Sequence, residues 1–569
     1  MKTSTFILLA LISIPQTLFG QGFLQVNQTK GDINSATAEG CDLVCDNDGN
    51  TYVAGNFDNT VLFGDLEISG NYGTMYVVKY ASDGDPVWVR QINGNSNNEV
   101  FGIAVDNQQD IYICGMYKHT NSSTVLDFGT IQIEGNRSLS TYLAKIDKNG
   151  NWLWARSILS EDFAGSQVCQ PDDIIVSPSG DVFIAGSLNT PVSIDGSTFN
   201  SDNGSENAYY FARFSADGNL IWFNSNKGYF DGIELAFASD ARLFFAGTSH
   251  NLIHFAGDSI EGPGSDDVLF GAINQDGSLL WWQTAGHPSY IERPKGLALD
   301  QNNNIYLAFS NQYWVKVGDL QIDYNGVVFQ YLYKFDDQGN FLWMQPLLSG
   351  SVGGFNGISS LDILADPSGK TYVTGLMESS SYNGNPLFFS DTVGGYGYKE
   401  CYLAAYNQDG SYAGVADFTY DEGNGGSGEF IPSQLAFDKD MNIVMTGTFR
   451  DNIMIGDKQL EAGAIKRMFV LKANPSELFG TSSGFSVLHI HDFDMDIYPN
   501  PARHTLNIEI NENSGPYEYR LTDIHGRILL SGAGYDSRMK LDIGELEYGA
   551  YFVQVFGRKL VGKKAFIKL

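Results

Sequence analysis

Few residues in this chain stand in an arrangement that could do chemistry. Asp46, Asp48 and Asn50, in DNDGN, place three oxygen-bearing side chains at alternate positions of one loop. Calcium takes such oxygens, but a full loop needs about six ligands or more and usually a later acidic one. None follows here, and Asp opens five of the seven turns of this kind. An Asx-type turn, in which the side chain accepts amides two residues on, is the expected role. His489 and His491 in HIHDFD stand at strand spacing beside Asp492 and Asp494. They fall in a segment that reads as a linker, where no preformed zinc site is expected. No HExxH or P-loop occurs, and no GxGxxG set stands in a βαβ context. Catalytic, ligand-binding and metal residues are therefore left unassigned. No cofactor is predicted, and calcium stays open.

The most regular large side chains are five indoles. Trp88, Trp154, Trp222, Trp281 and Trp343 each stand four residues after the Gly of an Asp/Asn-Gly-type turn, as in KYASDGDPVW (Lys79–Trp88) and KFDDQGNFLW (Lys334–Trp343). A sixth copy, Ala405–Gly414, lacks the Trp, and a seventh stops near Asn474. Large aromatics at a fixed place in five of the repeats pack between layers, so all five are assigned a structural role. A second anchor, a turn and then an apolar strand, recurs seven times, from DNDGNTYVAG (Asp46–Gly55) to DKDMNIVMTG (Asp438–Gly447). The Gly55-type positions are separated by 60, 71, 61, 62, 66 and 72 residues.

Each unit reads as strand A, tight turn, strand B, a variable stretch with an extra hairpin, strand C, tight turn, strand D. Strands apolar on both faces need neighbouring sheets on both sides, and radial stacking supplies them. The expectation is an all-β chain. Residues 21–474 should form a seven-bladed β-propeller of four-stranded blades with extra B–C hairpins, closed by an N-terminal strand at 22–32. The B–C and D–A connections carry all the length variation, so the ligand face is expected there.

Units of this turn–YVAG–KxxxDGxxxW plan resemble SBBP-type β-propeller repeats, a likeness that speaks to fold and not to activity. The DGxxxW element is also similar to the Asp-box of sialidases, without its Thr, and to the Trp-docking element of quinoprotein propellers. In both families the element is structural. Asp258–Ile260 and Asp391–Val393 resemble the Asp-Ser/Thr-apolar O-glycosylation motif of bacteria with type IX secretion.

At the N-terminus Lys2 precedes the apolar run Phe6–Ile14, and Pro15 and Gly20 lead to Gln21. This is the plan of a secretory signal peptide, residues 1–20, cut between Gly20 and Gln21. The run is too short to span a bilayer, and no other stretch reaches about 18 apolar residues, so no transmembrane segment is expected. The five cysteines, Cys41, Cys45, Cys114, Cys169 and Cys401, leave at least one unpaired. Cys45 and Cys114 are expected as buried thiols, and a Cys41–Cys169 bridge stays open. The body from Gln21 to Met495 holds 57 acidic and 23 basic residues. Such a surface repels phosphate backbones, so no nucleic-acid partner is expected.

Residues 496–569 are near neutral, with 9 acidic and 10 basic residues. Their alternating runs read as a small antiparallel β-sandwich behind a linker at 475–495. Four elements follow in order. They are the YPNP opening with Pro499, Asn500 and Pro501, and the D-x-x-G-R turn of Asp523, Gly526 and Arg527. Then come the L-x-x-G-x-Y strand of Leu546, Gly549 and Tyr551 and the basic terminal strand with Lys563, Lys564 and Lys568. Together they resemble the type A sorting domain of type IX secretion. The resemblance implies Sec export, passage through the type IX machinery, cleavage by its sortase, and an extracellular or outer-membrane-surface location. Function follows only as a class: a non-catalytic binding or adhesion protein with a glycan or protein ligand. The alternative, a glycan-active hydrolase or lyase on the same face, would need convergent carboxylates or a Tyr/His/Arg cluster at the central channel.

Overall fold

Each repeat is organised by the turn that joins its first two strands. Asp46 accepts the amides of Asp48 and Asn50 on one oxygen, both at 2.9 Å. Its other oxygen accepts the Asn50 carboxamide at 2.7 Å and the Tyr52 hydroxyl at 2.9 Å. Equivalent amide bonds form at Asp106, Asp300 and Asp438. The carboxylates are thus taken up by the turns, as Asx geometry requires. Strand B then runs straight into the core, where Tyr52, Val53 and Ala54 are fully buried.

The computed structural model describes residues 22–479, apart from 32–34, 95–97, 119–124, 136–137, 162–167, 201–206, 289–291, 311–313, 324–329, 348–354, 380–386, 389–390, 393–398, 421–428, 456–457 and 463–464. It also describes residues 491–568, apart from 493–494, 511–516, 524–527, 535–537, 545, 547 and 558–559. The signal-peptide positions, including Gly20 and Gln21, and the turn residues Gly526 and Arg527 lie outside the described residues. The chain forms two compact units, Met1–Gly480 and Thr481–Leu569. Among the described residues it is all-β but for one helical turn, Pro475–Leu478.

In the first unit seven sets of four antiparallel strands follow one another, each in the order A–B–C–D; the first, sixth and seventh join in one twelve-stranded sheet, the second and fourth each lie in a six-stranded sheet, and the third and fifth stand as four-stranded sheets. The second, for example, pairs Glu99–Val105, Ile111–Tyr117, Ser140–Ile146 and Trp152–Ser160. The seventh takes three strands from Glu429–Phe437, Ile443–Arg450 and Arg467–Ala473. Its fourth strand is N-terminal: Phe23–Gly31 pairs antiparallel with Arg467–Ala473, with Val26 opposite Leu471 and Gln28 opposite Phe469. The first strands touch in a cycle. Thr37–Cys45 meets Glu99–Val105, and the contacts run on through Cys169–Val176, Tyr229–Phe237, Pro294–Leu299 and Phe355–Ala365 to Glu429–Phe437, which returns to Thr37–Cys45. Every one of these first strands has a register shift midway, as between Gly40 and Asp42 or Ser360 and Asp362. Such bulges bend a strand and re-aim its side chains.

The extra B–C hairpins are not free loops. The hairpin strand Val192–Ile194 of repeat 3 pairs with the outer strand of repeat 2 through Leu159↔Ser193. Trp314–Val317 of repeat 5 pairs with the outer strand of repeat 4 through Ala285↔Val317. In repeat 1 the hairpin is the continuation of strand B, and Val61–Phe63 lies against Gly31–Thr29 of the N-terminal strand. Each hairpin covers an edge that would otherwise offer unpaired amides and carbonyls. The length variation seen along the sequence is in part edge cover.

Two expectations change. The segment expected to begin a linker at 475 starts with a helical turn that belongs to the first unit. Asn474 caps it, accepting the Ser476 amide at 2.9 Å, and Leu478 and Phe479 are buried in the core of the seventh sheet. Burial of two large apolar side chains holds these residues to the body. All five cysteines are free, so the Cys41–Cys169 bridge does not form. Cys45 is half-buried and not fully so, whereas Cys114 is buried.

The second unit consists of a five-stranded sheet containing Tyr517–Asp523, Gly549–Gly557 and Leu560–Lys568, and a three-stranded sheet of Met495–Tyr498, Thr505–Ile510 and Arg538–Asp542. Leu506, Ile508, Leu521, Leu541, Val553 and Phe566 form one buried cluster drawn from both sheets.

Candidate functional site

The five indoles join each sheet to the next. Trp88 Nε1 donates to the Lys148 carbonyl at 3.1 Å, Trp154 to Ala216 at 3.1 Å, Trp222 to Gln275 at 2.9 Å and Trp343 to Gln408 at 3.3 Å. Each acceptor lies in the C–D turn of the following repeat. Trp281 has no acceptor for its N–H among the described residues. The ring lies over the turn glycine: a Cβ on Gly218, whose φ is +78°, would stand 2.8 Å from Trp154. The repeat Lys or Arg of strand C closes the same node, with Lys145 3.0 Å from Asp110 and over the Tyr112 ring at 4.7 Å.

Where the motif fails, other residues fill the place. Repeat 6 has Gly414 where the Trp should be, and there Phe479 stands within 3.3 Å of a Cβ built on Gly414. Phe479 also meets the Tyr372 ring at 5.8 Å, the partner position that Tyr52 offers to Trp88 at 6.0 Å. Beside Arg467–Ala473 the N-terminal strand carries no Trp. Gln25 covers Gly84, and Asn27 donates to the Gly84 carbonyl at 2.9 Å.

A second set repeats at the bulges. Asp42, Gly102, Asp173, Glu234, Gly296, Asp362 and Gln434 follow one another at the same separations as the Gly55-type positions. Asp42 accepts the Leu43 amide and, from the next sheet, the Ile103 amide, both at 2.7 Å. Asp173 does the same with Ile174 at 2.6 Å and Leu235 at 2.8 Å, and Asp362 with Ile363 and Leu435, both at 2.7 Å. Glu234 accepts the Gly296 amide at 2.9 Å. Burial, and then the charge of Glu234, lift the Asp42 carboxyl to about 7, with two amide bonds working against the shift. The same causes raise Asp173 and Asp362. Reading along the chain missed these carboxylates. Their signal was the constant spacing to a position that is only sometimes acidic.

A cleft of about 470 Å³ opens between repeats 3 and 4. Phe199 comes from the B–C hairpin of repeat 3, Phe223 from its outer strand and Phe255 from the hairpin of repeat 4. Asn200, Asn224, Ser225 and Asn226 add amide and hydroxyl groups. The cleft exists because this hairpin meets the outer strand through side chains. Asn226 accepts the Ala256 amide at 3.4 Å, and among the described residues no backbone pairing joins Ile253–Phe255 to Leu220–Lys227. Phe199 and Phe223 stand 5.1 Å apart, and Phe223 stacks on Tyr210 at 5.2 Å. No lining residue is titratable. Among the described residues no group of three or more His, Cys, Asp or Glu side chains could hold a metal ion.

In the second unit the YPNP segment is tied to the last strand. Asn500 accepts the Ile567 amide at 3.0 Å, and the Ala502 amide donates to the Ile567 carbonyl at 2.8 Å. Pro499 and Pro501 both follow cis peptide bonds. Gly549 opens the strand that pairs with the terminus, Gly549 opposite Lys568 and Tyr551 opposite Phe566, whose rings lie 5.7 Å apart. Lys568 is buried beneath Tyr548, its ammonium 5.5 Å from that ring. Leu546 donates its amide to Ile543 at 3.1 Å, Asp523 ends the strand opposite Tyr551, and Lys563 and Lys564 stand opposite Gln554 and Val553.

Residues 496–568 match the secretion system C-terminal sorting domain. The chain is therefore a client of type IX secretion, exported to the cell surface or the extracellular space. No helix among the described residues is long and apolar enough to cross a membrane. The body has fainter likenesses. A WD repeat-containing protein of Acanthamoeba polyphaga mimivirus, itself uncharacterized, is 26% identical over 204 residues, which is 31% of this chain and 14% of that protein. The chain thus spans only a small part of that relative. A fungal alcohol oxidase of the AA5 family, in complex with copper, is 12% identical with a TM-score of 0.37, covering 96% of this chain and 99% of its own. PorZ, a surface component of the type IX secretion system of Porphyromonas gingivalis, is 10% identical with a TM-score of 0.23, covering 96% and 100%. At such scores neither protein's chemistry bears on this chain.

Proposed function

We propose that the exported body is a seven-bladed β-propeller of SBBP-type repeats that binds a neutral glycan in the cleft between repeats 3 and 4, without acting on it. Seven four-strand sets of one strand order, the cyclic contact of their first strands and the pairing of Phe23–Gly31 with Arg467–Ala473 support the propeller. The observation that carries the binding is the lining of the cleft. Aromatic faces beside carboxamides suit the apolar faces and hydroxyls of a sugar, and clefts of this size take small ligands. Hydrolysis of a glycoside needs paired carboxyl groups, and the lining has none. The signal peptide at 1–20, sortase cleavage after the body, and the roles of Pro499, Asn500, Gly549 and Lys568 in sorting belong to the same proposal.

The test is a glycan screen of the secreted chain beside Phe199→Ala, with product analysis of every hit. A retained, uncleaved glycan whose binding falls at least tenfold in the variant is expected. Cleaved products would establish the hydrolase reading instead. Undiminished binding by Phe199→Ala would remove the cleft as the site.

A further inference from the structure

Where the fourth sheet meets the D–A connection to the fifth, five ionisable side chains gather. His250 lies between two of them, Nδ1 2.7 Å from Asp266 and Nε2 3.1 Å from Asp231, with the Tyr229 ring at 4.2 Å. The other two, Asp267 and Glu292, are 1% and 0% exposed. Asp267 accepts the Gly264 amide on both oxygens, at 3.0 and 2.9 Å. Glu292 donates its own amide to the Asp266 carbonyl at 3.1 Å. Neither of its carboxylate oxygens has a hydrogen-bond partner among the described residues.

An ionised carboxylate buried without a partner is among the costliest groups a fold can hold. Here two lie together. Burial first, and then the charges of Asp267 and Asp266, lift Glu292 to about 8. The His287 backbone N–H works against this rise. Burial and Asp266 lift Asp267 to about 6. No lysine or arginine is among the groups acting on either. The surrounding backbone comes unusually close. A Cβ on Gly286 would stand 1.9 Å from Asp267 Oδ1, and one on Gly264 would stand 2.5 Å from the His287 carbonyl oxygen and 3.2 Å from Asp267 Oδ1. The Asp267 carboxylate and the His287 carbonyl oxygen thus both crowd the position of Gly264.

We propose that Asp267 and Glu292, with the main-chain carbonyl of His287, hold one calcium ion. Hard cations accept this donor set, mixing carboxylate and carbonyl oxygens and completing the shell with water, so two carboxylates suffice. The ion supplies the positive charge that Asp267 and Glu292 lack and ties the fourth sheet to the start of the fifth. This site is separate from the glycan cleft and stands whether or not that cleft binds sugar. A turn such as that of Asp46 is not a second candidate, since its oxygens are already taken.

The experiment uses the full chain stripped with EGTA and titrated with calcium chloride, beside Glu292→Gln. Calorimetry should count one calcium in the wild type that the variant lacks, and calcium should raise the melting temperature of the wild type only. Terbium reports the position without touching the carboxylates. The Trp314 ring stands 4.3 Å from that of His287, so tryptophan-sensitised terbium emission should be strong, displaced by calcium, and largely lost in Trp314→Phe. Equal calcium counts in wild type and Glu292→Gln, or full terbium emission from Trp314→Phe, would overturn the site. A wild type unmoved by calcium while metal-free Glu292→Gln melts higher would overturn it too, and would show that the two carboxyls share a proton.

Discussion

At the scale of the residue, the repeat stands on nodes, and each node predicts its own mutation. Phe479 replaces the absent Trp of repeat 6 from outside the motif, lying against Tyr372 with Lys370 5.8 Å from its ring. Phe479→Ala should cost about 3 kcal/mol, the usual cost of emptying an aromatic core site. Leu153→Ala, at an exposed site, should cost under about 0.5 kcal/mol. Urea unfolding of the two variants side by side checks this, and equal midpoints would refute the replacement. The bulge carboxylates predict a pH dependence. Asp42 and Asp172 are each lifted to about 7, first by burial, and the Ile233 amide at 3.2 Å from Asp172 does not offset it. A carboxyl raised in the folded state favours the fold when protonated. That contribution is complete below the unfolded value near 4 and is lost as pH rises through 7. Melting temperature should therefore fall between pH 5 and pH 8, and Asp172→Asn should flatten that fall. A melting curve that improves over this range would contradict the assignment.

At the scale of the element, the outer edges are the vulnerable places. The N-terminal strand Phe23–Gly31 pairs on one side with Arg467–Ala473 and on the other with the first hairpin. Arg467 holds its far end, donating to the Gly31 and Ala36 carbonyls, both at 2.9 Å. Removing residues 22–31 uncovers the strand Arg467–Ala473 and the turn at Gly84 together. The truncated body should melt at least several degrees lower and associate through its open edge, as unpaired strands do. Trimming the exposed hairpin tip at Asp195–Gly196 should do neither. Thermal unfolding and size-exclusion chromatography of both proteins decide between them.

At the scale of the whole molecule, the chain forms two compact units, and the second carries the sorting domain. Deleting 481–569 removes the sorting domain and leaves every sheet of the body intact. The truncated protein should fold, with an unfolding midpoint within about 1 kcal/mol of the body in the full chain, and should accumulate in the periplasm. Cell fractionation and immunoblotting read the outcome, and normal surface delivery would show that the signal lies elsewhere. The strand order A–B–C–D, the turns at Asp46 and its equivalents and the sorting segment were all legible along the chain. The reason is that each depends on neighbours in sequence: an Asx turn spans four residues, and a hairpin sets its own register. The spacing of the five tryptophans could be read along the chain, but not the turn each one covers about sixty residues on. Phe479 on Gly414, the ring of Asp42, Asp173, Glu234 and Asp362, the cleft at Phe199 and Phe223, and the buried pair Asp267 and Glu292 were decided by tertiary structure. Each joins side chains from different sheets or connections. Burial and charge at such places depend on what packing brings together, and no local pattern of residues records it.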